Sequence, residues 1–327
     1  MTESSGWELF RSSSVFRRIA WLTVRTRSSC QDSSTVTTHL FNSLSRDLGE
    51  GLALWDWLGD FKWPYNVTIN QDESVAAALL SELEACRAGT TAVLDHHYAC
   101  TDVETTLAVA QALEQVGIRG RVGRGLVSPI TEGARIQGLG EELFRYPISD
   151  ELDMMRVCME ERPPGALVEV WPAPLEIIYT PFDLIHGAVG LAEEFGTGWH
   201  ARYSEASGDP GVFEAAHGLR PVSWLYEQGP LRQGATLAHA IWLDDDQVAQ
   251  LGETQTGASH NSVCKIVHEF RGFPAEGPSR CRCSCRARDR LRQRRPQTGS
   301  VRTDEAVHLA ATSAHDGSDR DGCSYGS

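Results

Sequence analysis

Five short stretches of this chain place imidazoles beside carboxyl, hydroxyl or amide groups. They are Thr37–Asn42, Asp95–Tyr98, Trp199–Glu205, Leu237–Trp242 and Gly257–Asn261. Neutral imidazoles hold a divalent metal ion, the ion lowers the pKa of a bound water, and a nearby Glu can carry a proton to a leaving nitrogen. A single His of this kind is more often structural than a ligand, and residues 95–97 could equally cap a helix at Asp102. Together the five stretches predict a hydrolytic metal centre.

Helical and β-branched segments alternate from residue 39 to residue 263, which predicts βα units around a parallel sheet. The predicted helices are Ser74–Gly89, with Ser74 as its N-cap, Val103–Gly117, Phe182–Gly196, Pro221–Gln228 and Asp244–Gly252. The predicted strands are Thr90–Tyr98, Ile118–Val127, Thr197–Ser204 and Thr236–Trp242. The chemical stretches fall at strand ends, where barrel enzymes place their active sites.

The composition excludes several classes of protein. The 327 residues are 41% hydrophobic and 23% charged, which is typical of a globular chain. No run of about 18 apolar residues occurs, so we expect no membrane span, and residues 1–20 lack the apolar stretch of a secretory signal. The nine Cys form no obvious disulfide framework, so we expect a reducing, cytoplasmic setting.

The net charge of −14 is unevenly distributed. Residues 34–264 hold 13 Lys/Arg against 33 Asp/Glu, whereas residues 265–302 hold 11 against 3. The acidic body disfavours a nucleic-acid partner, because Lys and Arg bind the phosphates. The basic tail could touch nucleic acid, or Cys281, Cys283 and Cys285 could form a metal knuckle. These shifts divide the chain into an irregular segment 1–36, a βα body 37–263 and a basic irregular tail 264–327.

Three segments of the body resemble the amidohydrolase superfamily: His39–Pro64, Gly89–Tyr98 and Leu237–Asn261. The branch they resemble contains chlorohydrolases, guanine and 8-oxoguanine deaminases, hydroxyatrazine aminohydrolases and S-adenosylhomocysteine deaminases. The resemblance implies a distorted (β/α)8 TIM barrel of the α/β class and one divalent metal ion, with zinc ahead of iron. It also implies hydrolysis of a C–N or C–Cl bond on a purine-, pterin- or triazine-like ring.

The resemblance supplies only two metal ligands. The first strand of the family ends in His-x-His, and here His39 matches the second imidazole while Thr37 stands at the first. His239 matches the sixth-strand ligand, but Arg202 stands at the fifth-strand position, and a guanidinium has no lone pair to offer. The Asp that follows the family's eighth strand has no in-frame match. A catalytic zinc normally keeps three protein ligands, so we expect an incomplete metal site.

The resemblance also assigns residues to the reaction and the substrate. Glu205 matches the catalytic acid/base, His260 matches the substrate-facing His, and His97 and His200 are further substrate-binding candidates. The S-adenosylhomocysteine deaminases carry a Glu where this chain has Asn66, so we expect a base-like or triazine-like ring rather than a nucleoside. Strands seven and eight and the family's small β-sandwich are expected to be missing.

The residues leave three functions open. The first is a metal-dependent hydrolase of a small N-heterocyclic molecule, with no nucleic-acid or membrane partner and with homo-oligomerisation undecided. The second is a catalytically inactive barrel, which the short ligand set favours for this chain. The third is a nucleic-acid module that acts through the basic tail, which a steep salt dependence of DNA affinity would reveal.

Both irregular ends have the character of frameshifted translations of a family gene. Regrouping the codons of Ser28–Thr38 by one base allows M-P-G-L-V-N-x-H-H, which restores the His-x-His before Leu40. A second regrouping over Cys285–Arg294 allows V-G-L-G-T-D-x-A-N-D, which contains the missing Asp. The nucleotide sequence tests this: codons incompatible with CCA-GGA at Cys30–Asp32, or with ACC-GAC at Asp289–Leu291, would exclude it.

Overall fold

The computed structural model describes residues 33–46, 48, 54–127, 129–136, 139–259 and 261. Most of the segment 1–36, all of the tail 264–327 and His260 lie outside the described residues. The predictions made for them, including both frameshifts, therefore stay predictions.

Parallel strands form the centre of the described fold. They are β1 (Ser33–Thr38), β2 (Thr90–His97), β3 (Arg119–Leu126), β4 (Val168–Pro174), β5 (Trp199–Tyr203), β6 (Ala235–His239) and β7 (Gly257–Ser259). The first four make one sheet and the last three another, each in sequence order. A parallel bridge between Glu176 and Arg202 links the two sheets. Sequential parallel strands are the βα-barrel arrangement, which confirms the predicted fold class.

Helices connect successive strands. They are α1 (Leu54–Trp57), α2 (Trp63–Thr68), α3 (Gln71–Ala88), α4 (Val103–Val116), α5 (Glu132–Ile136), α6 (Ile148–Glu161), α7 (Phe182–Glu194), α8 (Asp209–His217), α9 (Pro221–Gln228) and α10 (Asp245–Glu253). A π-helical turn at Leu58–Lys62 joins α1 to α2, and 3-10 turns lie at Leu40–Ser45 and Glu141–Leu143. Among the described residues, no helix is long and apolar enough to cross a membrane.

Side-chain caps fix the helix boundaries. The predicted N-cap Ser74 is wrong, because Asn70 accepts a hydrogen bond from the Glu73 amide and the Glu73 side chain accepts one in return, so α3 begins one turn earlier. Asp102 caps α4 by accepting from the Thr105 amide at 2.8 Å. The predicted ends of α3 and α4 are confirmed by left-handed glycines at Gly89 and Gly117.

Two expectations about the strands need correction. The seventh strand, expected to be missing, is present as the three-residue β7, while no eighth strand occurs within the described residues. The first strand begins at Ser33, inside the segment 1–36 that was expected to be irregular. Strand β4 was not predicted, because the apolar run that forms it contains two prolines. Helix α6 was not predicted either.

Several strands end in strained backbone. Strand β6 was expected to reach Trp242, but it stops at His239, where φ is 67° at His239 and 41° at Ala240. Thr37 in β1 has φ of 79° and Ser204 after β5 has φ of 52°. A left-handed conformation costs a non-glycine residue about 1–3 kcal/mol and clusters at functional sites. We therefore expect a functional site at these strained strand ends.

An apolar layer between the first sheet and its helices fixes the register of the strands. Val93, Val122 and Val168 of three neighbouring strands pack with Leu113 of α4 and Met155 of α6, and all five are buried. Burial of branched side chains specifies register, since a shift by one residue would turn them to the opposite face. The layer thereby sets which residues reach the carboxyl ends.

One buried carboxyl group lies beside this layer. Glu82 on α3 is 1% exposed, and neither of its oxygens has a hydrogen-bond partner among the residues that the structure describes. Burial, together with Asp95, raises the pKa of Glu82 from 4.5 to about 8. Because the folded chain holds this proton more tightly than the unfolded chain, the free energy of unfolding falls as the pH rises from 4.5 towards 8.

We therefore expect Glu82→Gln to stabilise the protein by about 2–4 kcal/mol at pH 8 and to have little effect at pH 4. Urea denaturation at the two pH values measures this. Glu84→Gln is the matched control, because Glu84 lies on the same helix, is half exposed and pairs with Arg46 at 2.7 Å. Equal effects of the two substitutions at pH 8 would contradict the assignment.

Candidate functional site

Strands β1, β2, β5 and β6 bring four imidazoles together at the carboxyl end of the sheets. The ring centroids of His39 and His96 are 5.6 Å apart, and those of His96 and His200 are 4.9 Å apart. The Thr37 hydroxyl lies 3.5 Å from Nε2 of His200. His239 ends β6 beside this group, so residues 160 or more positions apart in sequence meet here.

Arg202 and Glu205 connect the imidazoles to a network of charges. The Arg202 guanidinium pairs with the Glu205 carboxylate, and its Nε lies 3.8 Å from Oε2 of Glu176. Oε2 of Glu205 is 3.6 Å from Nε2 of His239. The guanidinium also lies 5.7 Å from the centre of the Tyr98 ring. Glu205 therefore bridges the cation on β5 and the imidazole that ends β6.

Burial keeps His39, His96 and His200 neutral. It lowers the pKa of His200 to about 3, with His239 and Arg202 adding to the effect. Burial also places the pKa of His96 well below its usual range, and it does the same for His39, where Arg202 is the second cause. The Nδ1–H of His39 donates to the His96 carbonyl at 2.9 Å. Its Nε2 is then the nitrogen with a free lone pair.

The carboxyl groups around Arg202 respond to burial in the opposite direction. Burial raises the pKa of Glu176 to about 8, although Arg202 opposes the rise. Burial likewise raises the pKa of Asp209 to about 7, against a hydrogen bond from the Ala206 amide. Both groups hold protons at neutral pH more strongly than a solvated carboxylate. Burial by itself would lower the pKa of Arg202, but Glu205, Tyr98 and neighbouring groups together raise it, so Arg202 is a permanent cation.

A second buried cation lies close to His39. Lys62, in the π-helical turn, is fully buried, and its ammonium lies 4.5 Å from the Phe41 ring centre and 4.9 Å from that of Tyr65. The Phe41 ring is in turn 6.1 Å from the His39 ring. Positive charge on Lys62 contributes to the lowered pKa of His39. Cations thus flank this imidazole from two sides.

The structure brings some of the sequence-predicted residues together and separates one. His39, His200, Glu205 and His239 lie in one cluster, with Thr37 and Arg202 among them. His97 lies on the opposite face of β2 from His96, with its Nδ1 3.4 Å from Asp95 and its ring 5.2 Å from Phe41. The substrate-facing role expected for His260 falls outside the described residues.

Sequence reasoning missed three members of the cluster: His96, Tyr98 and Glu176. His96 and Tyr98 stood in a stretch that was singled out, but strand alternation directs them inward instead of His97. Glu176 follows β4 within an apolar run, where one carboxyl group is itself a signal, because unpaired charges are rarely buried. The pairing of Glu176 with Arg202 could not be predicted from the sequence, because only the fold brings the two side chains together.

The described residues do not fit a metal ion. No three His, Cys, Asp or Glu side chains among them form a group that could hold one. Thr37 and Arg202 stand where the resemblance predicts imidazoles, and the Arg202 cation lies beside the two expected ligands His39 and His239. A guanidinium neither coordinates nor tolerates a nearby divalent cation.

These features define a parallel βα barrel with imidazoles and the Glu205 carboxylate at the carboxyl ends of its strands. The chain belongs to the amidohydrolase family, whose model matches residues 38–292. The match extends 29 residues beyond the predicted end of the body at 263.

Several relatives that the chain matches are named as deaminases. It is 27% identical over 225 residues to a 5'-deoxyadenosine deaminase of Methanobrevibacter smithii, covering 68% of this chain and 48% of the relative. It is 27% identical over 231 residues to a 5-methylthioadenosine/S-adenosylhomocysteine deaminase of Symbiobacterium thermophilum, covering 70% and 49%. The chain thus spans about half the length of the relatives it matches.

Solved structures show the same fold at lower identity. A triazine hydrolase from Arthrobacter aurescens superposes with a TM-score of 0.66 at 18% identity, covering 75% of this chain and 56% of that one. Guanine deaminase of E. coli superposes with a TM-score of 0.63 at 14% identity, covering 73% and 53%. The atrazine chlorohydrolase of Arthrobacter aurescens, with a TM-score of 0.65 at 18% identity, covering 75% and 56%, was solved with zinc.

Proposed function

We propose that this chain is an aminohydrolase-type barrel that binds an N-heterocyclic ring at its strand ends. The reaction for which such a site is built is hydrolytic removal of an amino group or halide from that ring. The observation that carries the proposal is the position of Glu205, 3.6 Å from His239 and next to a group of neutral imidazoles. The deaminase and triazine hydrolase relatives support the reaction class.

Three residues of the cluster have assigned roles in this proposal. His39 is oriented by the His96 carbonyl, so its Nε2 can accept a hydrogen bond from a ring N–H. His200 is neutral and can donate or accept. Glu205 is the proton carrier, held by Arg202 on one side and His239 on the other. No step is assigned to a metal ion, because the described ligands do not fit one. For a family member with all its ligands, zinc rather than iron is the proposed ion.

Asn66 supports a base-like or triazine-like ring as the substrate. It lies on α2 and is 2% exposed, and neither atom of its amide has a hydrogen-bond partner among the described residues. A buried amide without partners is costly and is expected to be satisfied by a ligand or water. An amide matches the mixed donors and acceptors of a heterocycle edge, whereas a carboxylate would match a ribose diol.

Asn66→Glu is therefore expected to shift the preference of the site from base to nucleoside. The ratio of the guanosine and guanine dissociation constants should move by about tenfold towards guanosine, measured by titration calorimetry. Asn70→Asp is the control, since it keeps the cap of the adjacent helix α3 and should leave the ratio unchanged. An unchanged ratio in Asn66→Glu would remove Asn66 from the site.

A second candidate function is a catalytically inactive barrel that keeps ring binding. The pairing of Arg202 with Glu205 favours it, because the cation stands at a ligand position and holds the acid/base. Binding of guanine and hydroxyatrazine, together with release of ammonia from guanine or of an alkylamine from hydroxyatrazine, separates the candidates. Release above the blank that Glu205→Gln abolishes supports the hydrolase, and binding without release supports the inactive barrel. If no ring binds, both candidates fail.

A further inference from the structure

We propose that Arg202 serves as the cation of this site in place of a metal ion, and that its guanidinium receives the oxygen of an oxo-bearing N-heterocycle. The choice of ring rests on the proposed function. The role of Arg202 in holding the strand ends does not, so the two can fail separately.

Arg202 lies where the two sheets meet. Its backbone forms the bridge to Glu176 that joins the two sheets, and the Ile177 amide donates to its carbonyl at 3.2 Å. Its side chain pairs with Glu176 and with Glu205, which reaches His239 on β6. One cation therefore connects the ends of β4, β5 and β6. A shared metal ion connects strand ends in the same way.

The buried Arg202 side chain has a hydrogen-bond donor that the described residues leave unused. The residue is 4% exposed, yet its Nε–H has no hydrogen-bond acceptor within the part of the chain that the structure describes, since Glu176 is too distant at 3.8 Å. A guanidinium carries five donors and no acceptor. A buried donor without a partner calls for an acceptor from a ligand. A ring carbonyl, or its enolate form, supplies one.

The surrounding charges select the ligand. Lys62 and Arg202 both direct positive charge at His39, which disfavours a cation and favours a carbonyl or enolate oxygen there. A ring with an amino group at the same place would present a donor to a donor. The site should therefore discriminate oxo from amino.

Guanine and 2,6-diaminopurine test this, because they differ in an oxo or amino group at one ring position and, with it, in the proton on the adjacent ring nitrogen. With a metal chelator present, we expect the wild-type chain to bind guanine about tenfold more tightly than 2,6-diaminopurine in titration calorimetry. Arg202→Met should remove this preference, and Arg202→Lys should retain part of it. Arg156→Met is the control, since Arg156 lies away from the cluster and pairs with exposed Glu194.

Thermal unfolding tests the connecting role independently of any ring. Zinc or chelator should leave the wild-type melting temperature unchanged, Arg202→Met should lower it, and Arg202→Lys should lower it less. Equal binding of the two purines, or guanine binding that requires added zinc, overturns the assignment of Arg202 as the ligand-binding cation. A wild-type melting temperature that rises with stoichiometric zinc overturns its role as the replacement for the metal. If neither purine binds while the unfolding results hold, the proposed function fails and the connecting role stands.

Discussion

Replacing both Thr37 and Arg202 by His should give this chain a zinc ion that Arg202→His alone does not give. The cluster already holds His39 and His239, and positions 37 and 202 lie among these imidazoles. The single substitution removes the repelling cation but gives only three imidazoles, at strained strand ends, and lacks both the first-strand imidazole and the Asp of the family's ligand set. The double substitution supplies four nitrogen donors, the number that completes a tetrahedral zinc site.

Metal content after exhaustive dialysis against a weak chelator measures this. The double variant should retain about one zinc per chain, and Arg202→His should retain far less. His239→Ala in the double variant is the control and should lose the ion. A stoichiometric, chelator-resistant ion in Arg202→His alone would show that the ligand count is wrong.

Glu151→Ala should destabilise the barrel by about 3–5 kcal/mol. Arg124 at the end of β3 is fully buried and donates to the Glu151 carboxylate at 2.7 Å and, through Nε, to the Thr101 carbonyl at 2.7 Å. Removing Glu151 leaves a guanidinium in the interior without its counter-ion, and this uncompensated charge is what costs free energy.

Urea denaturation at pH 7 measures the loss. Glu194→Ala is the matched control, because Glu194 pairs with Arg156 at the surface and should contribute nothing measurable. The double substitution Arg124→Met with Glu151→Leu should cost less than Glu151→Ala, since no charge is then left unpaired. A Glu151→Ala variant as stable as the control would contradict the assignment of Arg124 and Glu151 as a buried pair.

The sequence predicted the fold where local signals are strong. The glycines after α3 and α4 and the Asp at the start of α10 mark helix ends that the structure confirms. It failed where tertiary packing overrides local pattern, as in β4, whose prolines argue against a strand. The early end of strand β6 was not predicted, because the residue types at His239 and Ala240 do not indicate a left-handed backbone.

Part of the site could likewise be predicted from the sequence, and part could not. The clustering of His39, His200, Glu205 and His239 followed from their places at strand ends, because parallel strands present one common edge. His96 replaced His97 as the inward residue, since a change of one position along a strand reverses the face. The pairing of Arg202 with Glu176 required the bridge between the two sheets, which no spacing in the sequence encodes.

We infer that this amidohydrolase-family barrel carries Arg202 where a metal ion would otherwise lie. Elemental analysis of the purified full-length chain, loaded with excess zinc and then dialysed, tests it most directly. We predict far less than one tightly bound zinc per chain, with unchanged thermal stability. One chelator-resistant zinc per chain, lost on His239→Ala, would contradict the claim.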